Sequence, residues 1–252
     1  NSQLFIRTQK GVRLTAEGEL LFPYVERGIE NLLDGERMLR RLVDLDMGEV
    51  RIGASDMTLQ FYLLPHLERF HGRYPNIKVM VSNAPTPETI QSLYEGRIDF
   101  GVVSTPFDAR PEVAIRPVKK IRNVFVAGSQ YQSLKGKRLE YGALMDLPCI
   151  FLEKNTSTRR FMDQFLEERG IFLEPEFELA TSDMVVQFAM RNLGIGCVMD
   201  EFAREKIEAG ELFELTFGER MPDREICIVT DRKNPVSPAG ERFLEVLGAL
   251  GI

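Results

Sequence analysis

The chain has 252 residues, 44% of them hydrophobic and 28% charged, with a formal net charge of −6. That length can bury one large core or two small ones. The acidic balance excludes a protein that coats nucleic acid with its whole surface, so any such contact must come from a local basic patch.

The opening NSQLFIRTQ does not read as a signal peptide, and it lacks Met, as expected of a chain that begins inside a longer protein. Leu4–Leu14 predicts two short strands around Gln9, Lys10 and Gly11, with the glycine supplying the positive φ of a tight turn. Arg7, Lys10 and Arg13 make this hairpin basic within an acidic chain; alone it would pass for a solvated turn. Thr15 is a good N-cap, followed by Glu17 in the first turn. A helical pattern then runs to about Asp46, with apolar positions at Leu21, Val25, Ile29, Leu32, Leu39 and Val43. Spacing near 3.5 argues for pairing with another helix, over roughly 45–50 Å. Pro23 should kink it or cost about 3 kcal/mol; Gly18, Gly28 and Gly35 weaken it by up to ~1 kcal/mol each.

Gly48 breaks the pattern. Val50–Val81 then reads as strand, polar turn (Ser55, Asp56, Thr58), amphipathic helix and second strand, with Tyr74-Pro75 ending the helix. Cys149–Leu179 has the same grammar: an apolar strand, then Asn155, Thr156, Ser157 and Thr158, a helix and a strand. Helix starts at strand ends offer unpaired N–H groups to an anion, so two similar lobes, each offering a polar helix start, are expected. Between them lie a helix at Pro87–Tyr94, Asp99 as a turn-fixing residue, and the strand Phe100–Ser104, whose carboxyl end is where open α/β sheets bind ligands. Val113–Gly128 predicts two strands, with Pro117–Lys120 as the crossover between them. Thr181–Asp200 reads as a polar-capped helix, a glycine turn and a buried strand. Glu225–Thr230 is a final strand, Asp231–Pro238 a turn-rich segment suited to a return to the first lobe, and Ser237-Pro238 caps the last helix.

Catalysis finds little support. The histidines are His66 and His71 alone, five apart and so not on one helical face. No Ser/His/Asp or Cys/His arrangement, phosphate loop or metal spacing is present. Arg159-Arg160 could hold a carboxylate, though one of two adjacent helical arginines is usually solvated. The cysteines Cys149, Cys197 and Cys227 stand apart in apolar runs, which suits buried thiols in a reducing cytoplasm. No apolar run approaches the ~20 residues of a membrane helix.

The stretch LFIRTQKGVRLTAEGELL is similar to the wing and linker-helix start of LysR-type transcriptional regulators. GEVRIGAS, LLPHLERFHGRYPNIKV, LYEGRIDFGVV, MRNLGIGCV and SPAGERFLEVL resemble that family's effector-domain landmarks, in order, over essentially the whole chain. The helix-turn-helix core, with its recognition helix, is absent from it. The resemblance implies an α/β fold: two Rossmann-like lobes of the type-2 periplasmic-binding-protein kind, joined by two crossovers and preceded by a long linker helix. It implies a wing remnant at residues 1–14, a dimerisation helix at 15–47, lobe I at 48–119 and 225–252, and lobe II at 120–224. Effector contacts carry over to Ser55, Asp56, Thr58, Ser104, Asn155, Thr156, Thr181 and Ser182, and DNA-backbone contacts to Arg7, Lys10 and Arg13. Expected partners are DNA, a small metabolite effector, and further copies of the chain in a dimer or tetramer. No cofactor, metal, membrane or enzymatic activity is expected, and a cytoplasmic location is. Asp56 departs from the hydroxyl common at its site; a carboxylate there disfavours a purely anionic effector unless it caps the helix. The other reading is a small-solute receptor of the same fold without DNA function, against which the basic hairpin counts.

Overall fold

A computed structural model describes residues 3–8, 11–43 and 47–248. The chain divides into two compact units, residues 1–48 and 49–252.

In the first unit, β1 (Phe5–Thr8) pairs antiparallel with β2 (Gly11–Leu14), with Phe5 opposite Leu14. Gly11, opposite Thr8 at the end of the ladder, holds φ at 126°, a conformation that favours glycine. Thr15 caps α1 (Ala16–Val43): its Oγ1 accepts from the Gly18 N–H at 3.0 Å. The Thr15 N–H donates to the Leu4 carbonyl at 3.0 Å. That close approach explains Gly18, where an added Cβ would strike the Leu4 carbonyl. The helix continues through Pro23, at the loss of one backbone hydrogen bond. Leu21, Val25, Ile29, Leu32 and Leu39 are all exposed, Leu32 at 76%. A stripe this apolar on an isolated helix needs a covering partner. The side chain of Val43, and Lys10 altogether, lie outside the described residues.

The second unit is built on two mixed five-stranded sheets. The first has β3 (Gly48–Ala54), β4 (Ile77–Asn83), β5 (Phe100–Ser104), β6 (Val113–Ile121) and, from far along the chain, β14 (Arg224–Asp231), in the order β4-β3-β5-β14-β6. The second has β7 (Asn123–Ala127), β9 (Cys149–Leu152), β10 (Phe177–Leu179), β11 (Ile195–Met199) and β12 (Phe213–Glu214), in the order β10-β9-β11-β7-β12. A two-residue ladder, β8 (Arg138–Leu139) with β13 (Thr216–Phe217), lies beside it. In each sheet parallel strands meet one antiparallel strand that has just crossed over: β14 against β5, and β7 against β11.

The crossover is not where the sequence placed it. β6 runs unbroken through Pro117–Lys120, and the chain changes sheets around Arg122. β6 is an edge strand and the register shifts opposite Pro117, the two conditions under which a strand tolerates proline. The return also precedes Asp231–Pro238, because β14 already pairs with β5 and β6.

Between β3 and β4 lie α2 (Asp56–Thr58), a π-helical turn at Leu59–Leu63 and α3 (Leu64–Arg73), without a break. α4 (Thr86–Tyr94) links β4 to β5. In the second half, α5 (Ser157–Glu167) follows β9, α6 (Ser182–Met190) follows β10 and α7 (Asp200–Glu208) follows β11. α8 (Pro238–Val246) ends the description, with Ser237 Oγ accepting from the Gly240 N–H. Asp99 is structural, but not as a local turn-fixer: its carboxylate ties β3 to the start of α8, accepting from the N–H of Arg51 at 2.7 Å and of Ser237 at 3.0 Å. Among the described residues, no helix is long and apolar enough to cross a membrane.

Candidate functional site

A cavity of about 320 Å³ opens where elements of the two sheets meet. The first sheet's side contributes Ser55, Asp56 and Met57 after β3, Asn83–Thr86 after β4, Glu88 and, from the end of β5, Ser104; the second's contributes Leu152, Glu153, residues 155–158 and residues 180–182. Seven of the eight residues carried over from the family resemblance line it: Ser55, Asp56, Ser104, Asn155, Thr156, Thr181 and Ser182. The eighth, Thr58, does not. It is fully buried, its hydroxyl donates to the Val102 carbonyl at 2.8 Å, and its Oγ1 accepts from the Ser55 N–H at 3.0 Å. Thr58 completes a capping box with Ser55, whose hydroxyl accepts from the Thr58 N–H. It therefore braces the turn and leaves the ligand space to its neighbours.

Ser55 being the cap, one oxygen of Asp56 is left over. Its Oδ2 is buried and has no hydrogen-bond partner among the described residues. Burial raises its pKa above the ordinary carboxylate range, and nearby Asp183 pushes the same way; the backbone N–H groups of Met57 and, across the cavity, Ser182 offset part of this. A folded-state pKa above the unfolded one means that the stability this group contributes is complete at pH below about 4 and is lost as pH rises through the folded value. Asp56→Asn should therefore raise the melting temperature at pH 7, and the gain should vanish as the pH is lowered into the range where the wild-type carboxyl protonates. A gain of equal size at every pH would show that charge is not the cause.

On the opposite wall Thr156 caps α5: its Oγ1 accepts from the Arg159 N–H at 3.2 Å and donates to the Glu153 carbonyl at 2.8 Å. Thr181 stands at the same place before α6 without a side-chain cap bond. Of the adjacent arginines, Arg159 is buried and paired with Asp163 and Glu178, both at 2.8 Å, while exposed Arg160 reaches Asp108 at 3.2 Å.

The residue that sequence reasoning missed is Arg224. It opens β14 and is 2% exposed. Its Nε donates to the Thr105 carbonyl at 2.7 Å, Nη1 to Asn123 Oδ1 and Thr158 Oγ1, and Nη2 to Ser104 Oγ and Ser157 Oγ. Every one of these acceptors is neutral, and burial pulls the guanidinium down to about 10. In sequence it sits in MPDREICIVTD between Asp223 and Glu225, which reads as a solvated strand start. The available signal was one basic residue directly ahead of an apolar strand.

Burial pushes the thiols of Cys149 and Cys197 up to about 12 and that of Cys227 to about 11, which keeps them protonated and unreactive. Among the described residues, no cluster of three or more His, Cys, Asp or Glu could hold a metal ion.

Comparison with known proteins gives this geometry its context. Residues 44–251 match the family model described as the LysR substrate binding domain. The HTH-type transcriptional regulator YeiE of Escherichia coli K12 is 26% identical over 244 residues, covering 96% of this chain and 81% of its own length. The fold is similar to that of the Synechocystis CcmR regulatory domain in complex with 2-PG, with a TM-score of 0.72 at 20% identity, over 81% of this chain and 97% of that one. It is also similar to full-length CbnR complexed with its target DNA, with a TM-score of 0.62 at 17% identity, over 98% and 83% respectively. Both sheets, the two crossings between them and the polar cavity lie within the matched residues, and the chain belongs to the LysR family of transcriptional regulators.

Proposed function

We infer that the cavity is an effector site and that its occupancy controls how the full-length protein sits on DNA. One observation carries this reading: short polar side chains from elements of both sheets converge on one cavity. A ligand bonded to both walls favours one angle between the sheets over others, which is a population shift governed by its differential affinity. The lobes in this reading are 48–119 with 225–252, and 120–224. The exposed apolar stripe of α1 pairs with a second copy, in a dimer or tetramer, so that the angle alters the spacing of DNA half-sites. Arg7 and Arg13, both exposed, contact the phosphate backbone. CcmR's 2-PG and CbnR's target DNA support the two halves of this reading by analogy. The protein is then a cytoplasmic regulator and not an enzyme. The solute-receptor reading leaves the exposed basic hairpin without a purpose.

In full-length protein, Arg7→Glu combined with Arg13→Glu should weaken DNA binding about tenfold or more without moving the melting curve. Thr181→Trp, which fills the cavity at a cap position that makes no side-chain bond, should freeze the footprint so that no metabolite changes it. A Thr181→Trp footprint that still responds like the wild type would refute the assignment of the cavity.

A further inference from the structure

The charges around the cavity are arranged in an unusual order. Its charged lining residues are Asp56, Glu88 and Glu153, all acidic. Behind its floor lies Arg224, a buried cation whose bonds all go to neutral groups. Elsewhere the buried arginine, Arg159, has two carboxylates. An uncompensated buried cation is expensive, and its field reaches into the cavity through the hydroxyls it touches.

Those hydroxyls can be counted. Ser104 Oγ, Ser157 Oγ and Thr158 Oγ1 each accept from Arg224, so each must turn its own proton elsewhere. Ser104 and Ser157 lie 2.6 Å apart and share one proton between them. Two hydroxyl protons are left without an acceptor among the described residues. All three side chains line the cavity, and the first N–H groups of α5, an 11-residue helix, start at the same place. This wall donates and is positively polarised. Elsewhere in the lining stands Asp56, whose Oδ2 is a buried acceptor with no hydrogen-bond partner among the described residues.

Taking the cavity as the effector site, as above, we propose that the effector is a small zwitterion: its ammonium group donates to Asp56 while its carboxylate accepts the two free hydroxyl protons, one from the Ser104–Ser157 pair and one from Thr158, in front of Arg224. A pure anion would face the Asp56 carboxylate, and a pure amine would leave the donor wall empty. A zwitterion satisfies both, and a cavity of about 320 Å³ is at the small end of ligand pockets, which suits an amino acid.

The test is a melting-curve screen of the purified chain with three sets of compounds sharing carbon skeletons: amino acids, the corresponding 2-hydroxy and 2-oxo acids, and the corresponding amines. The expected result is an amino acid that raises the midpoint by about 5 °C or more at roughly a hundredfold excess over its Kd. Its affinity should fall at least about tenfold in Asp56→Asn, a variant expected to fold well, and should be abolished in Thr181→Trp. An anion-only compound that binds equally well to wild type and Asp56→Asn, yet not to Thr181→Trp, would overturn the zwitterion while leaving the cavity assignment intact. A shift that survives Thr181→Trp would overturn the cavity assignment. Absence of a shift from every amino acid tested would overturn the proposal.

Discussion

Replacing Arg224 with methionine should lower the unfolding free energy by about 2–4 kcal/mol, an effect large for a single residue. Two opposing costs decide the size. Removing the charge relieves the penalty of holding an unpaired guanidinium away from water, and such replacements can be neutral where the new side chain packs well. Against that, five acceptors lose their donor at once. Ser104 and Ser157 can still bond to each other, and Thr158 can turn. The Thr105 carbonyl and Asn123 Oδ1 lose the bonds that Arg224 supplied. A buried unsatisfied acceptor costs about 1–3 kcal/mol, so the loss exceeds the relief. The bonds also tie the end of β5, the start of β7 and the start of α5 to β14, and β7 and β14 begin where the chain passes between sheets. In urea the midpoint should fall, and on heating it should drop by about 5–15 °C. Arg224→Lys should recover only part of this, because an ammonium carries the charge without the planar fork that reaches all five acceptors. A methionine variant as stable as wild type would show that the guanidinium is retained for the ligand alone.

What was legible in the sequence was what is decided locally. The hairpin around Gly11, the cap at Thr15, the end of α3 before Pro75 and the cap at Ser237 each rest on residues a few positions apart, and each is present. The strand–helix–strand units repeat because a β-branched run and a polar cap have the same local consequences wherever they occur. The cavity lining was legible for a related reason: residues just past a strand's carboxyl end stay near that end whatever the remainder does. Arg224 was not legible, because its burial depends on residues 104, 123, 157 and 158, all more than 60 positions away. Thr58 misled for the opposite reason. A hydroxyl near a helix start can face a ligand or brace its own turn, and only the Val102 carbonyl on a neighbouring strand decides which. Pro117 misled because a proline marks a break unless the strand is at an edge, and edges are set by sheet order.

Phe243→Ala should be the most damaging single truncation among the residues packed on the first sheet, costing about 3–5 kcal/mol. Phe243 is fully buried on α8, with ring centroids 4.7 Å from Phe70 on α3 and 5.8 Å from Phe100 on β5. α8 has nine residues, too short to be stable by propensity alone, so it stays helical because this ring anchors it. Truncation removes two aromatic contacts, leaves a void against two other large rings, and releases the helix that Asp99 and the Ser237 cap hold at its other end. The neighbouring exposed pair Arg242–Glu245, 2.6 Å apart, is the control: breaking it should change stability by less than about 1 kcal/mol. The two large-effect variants should also differ in kind. Arg224→Met removes the cation behind the donor wall, so below its melting point it should bind any anionic group in the cavity more weakly. Phe243→Ala leaves every lining residue in place and, below its own melting point, should bind the effector with an affinity close to that of wild type. Equal losses of affinity in both variants would mean that the cavity responds to global loosening of the first sheet, and the assignment of a binding contribution to Arg224 would fail.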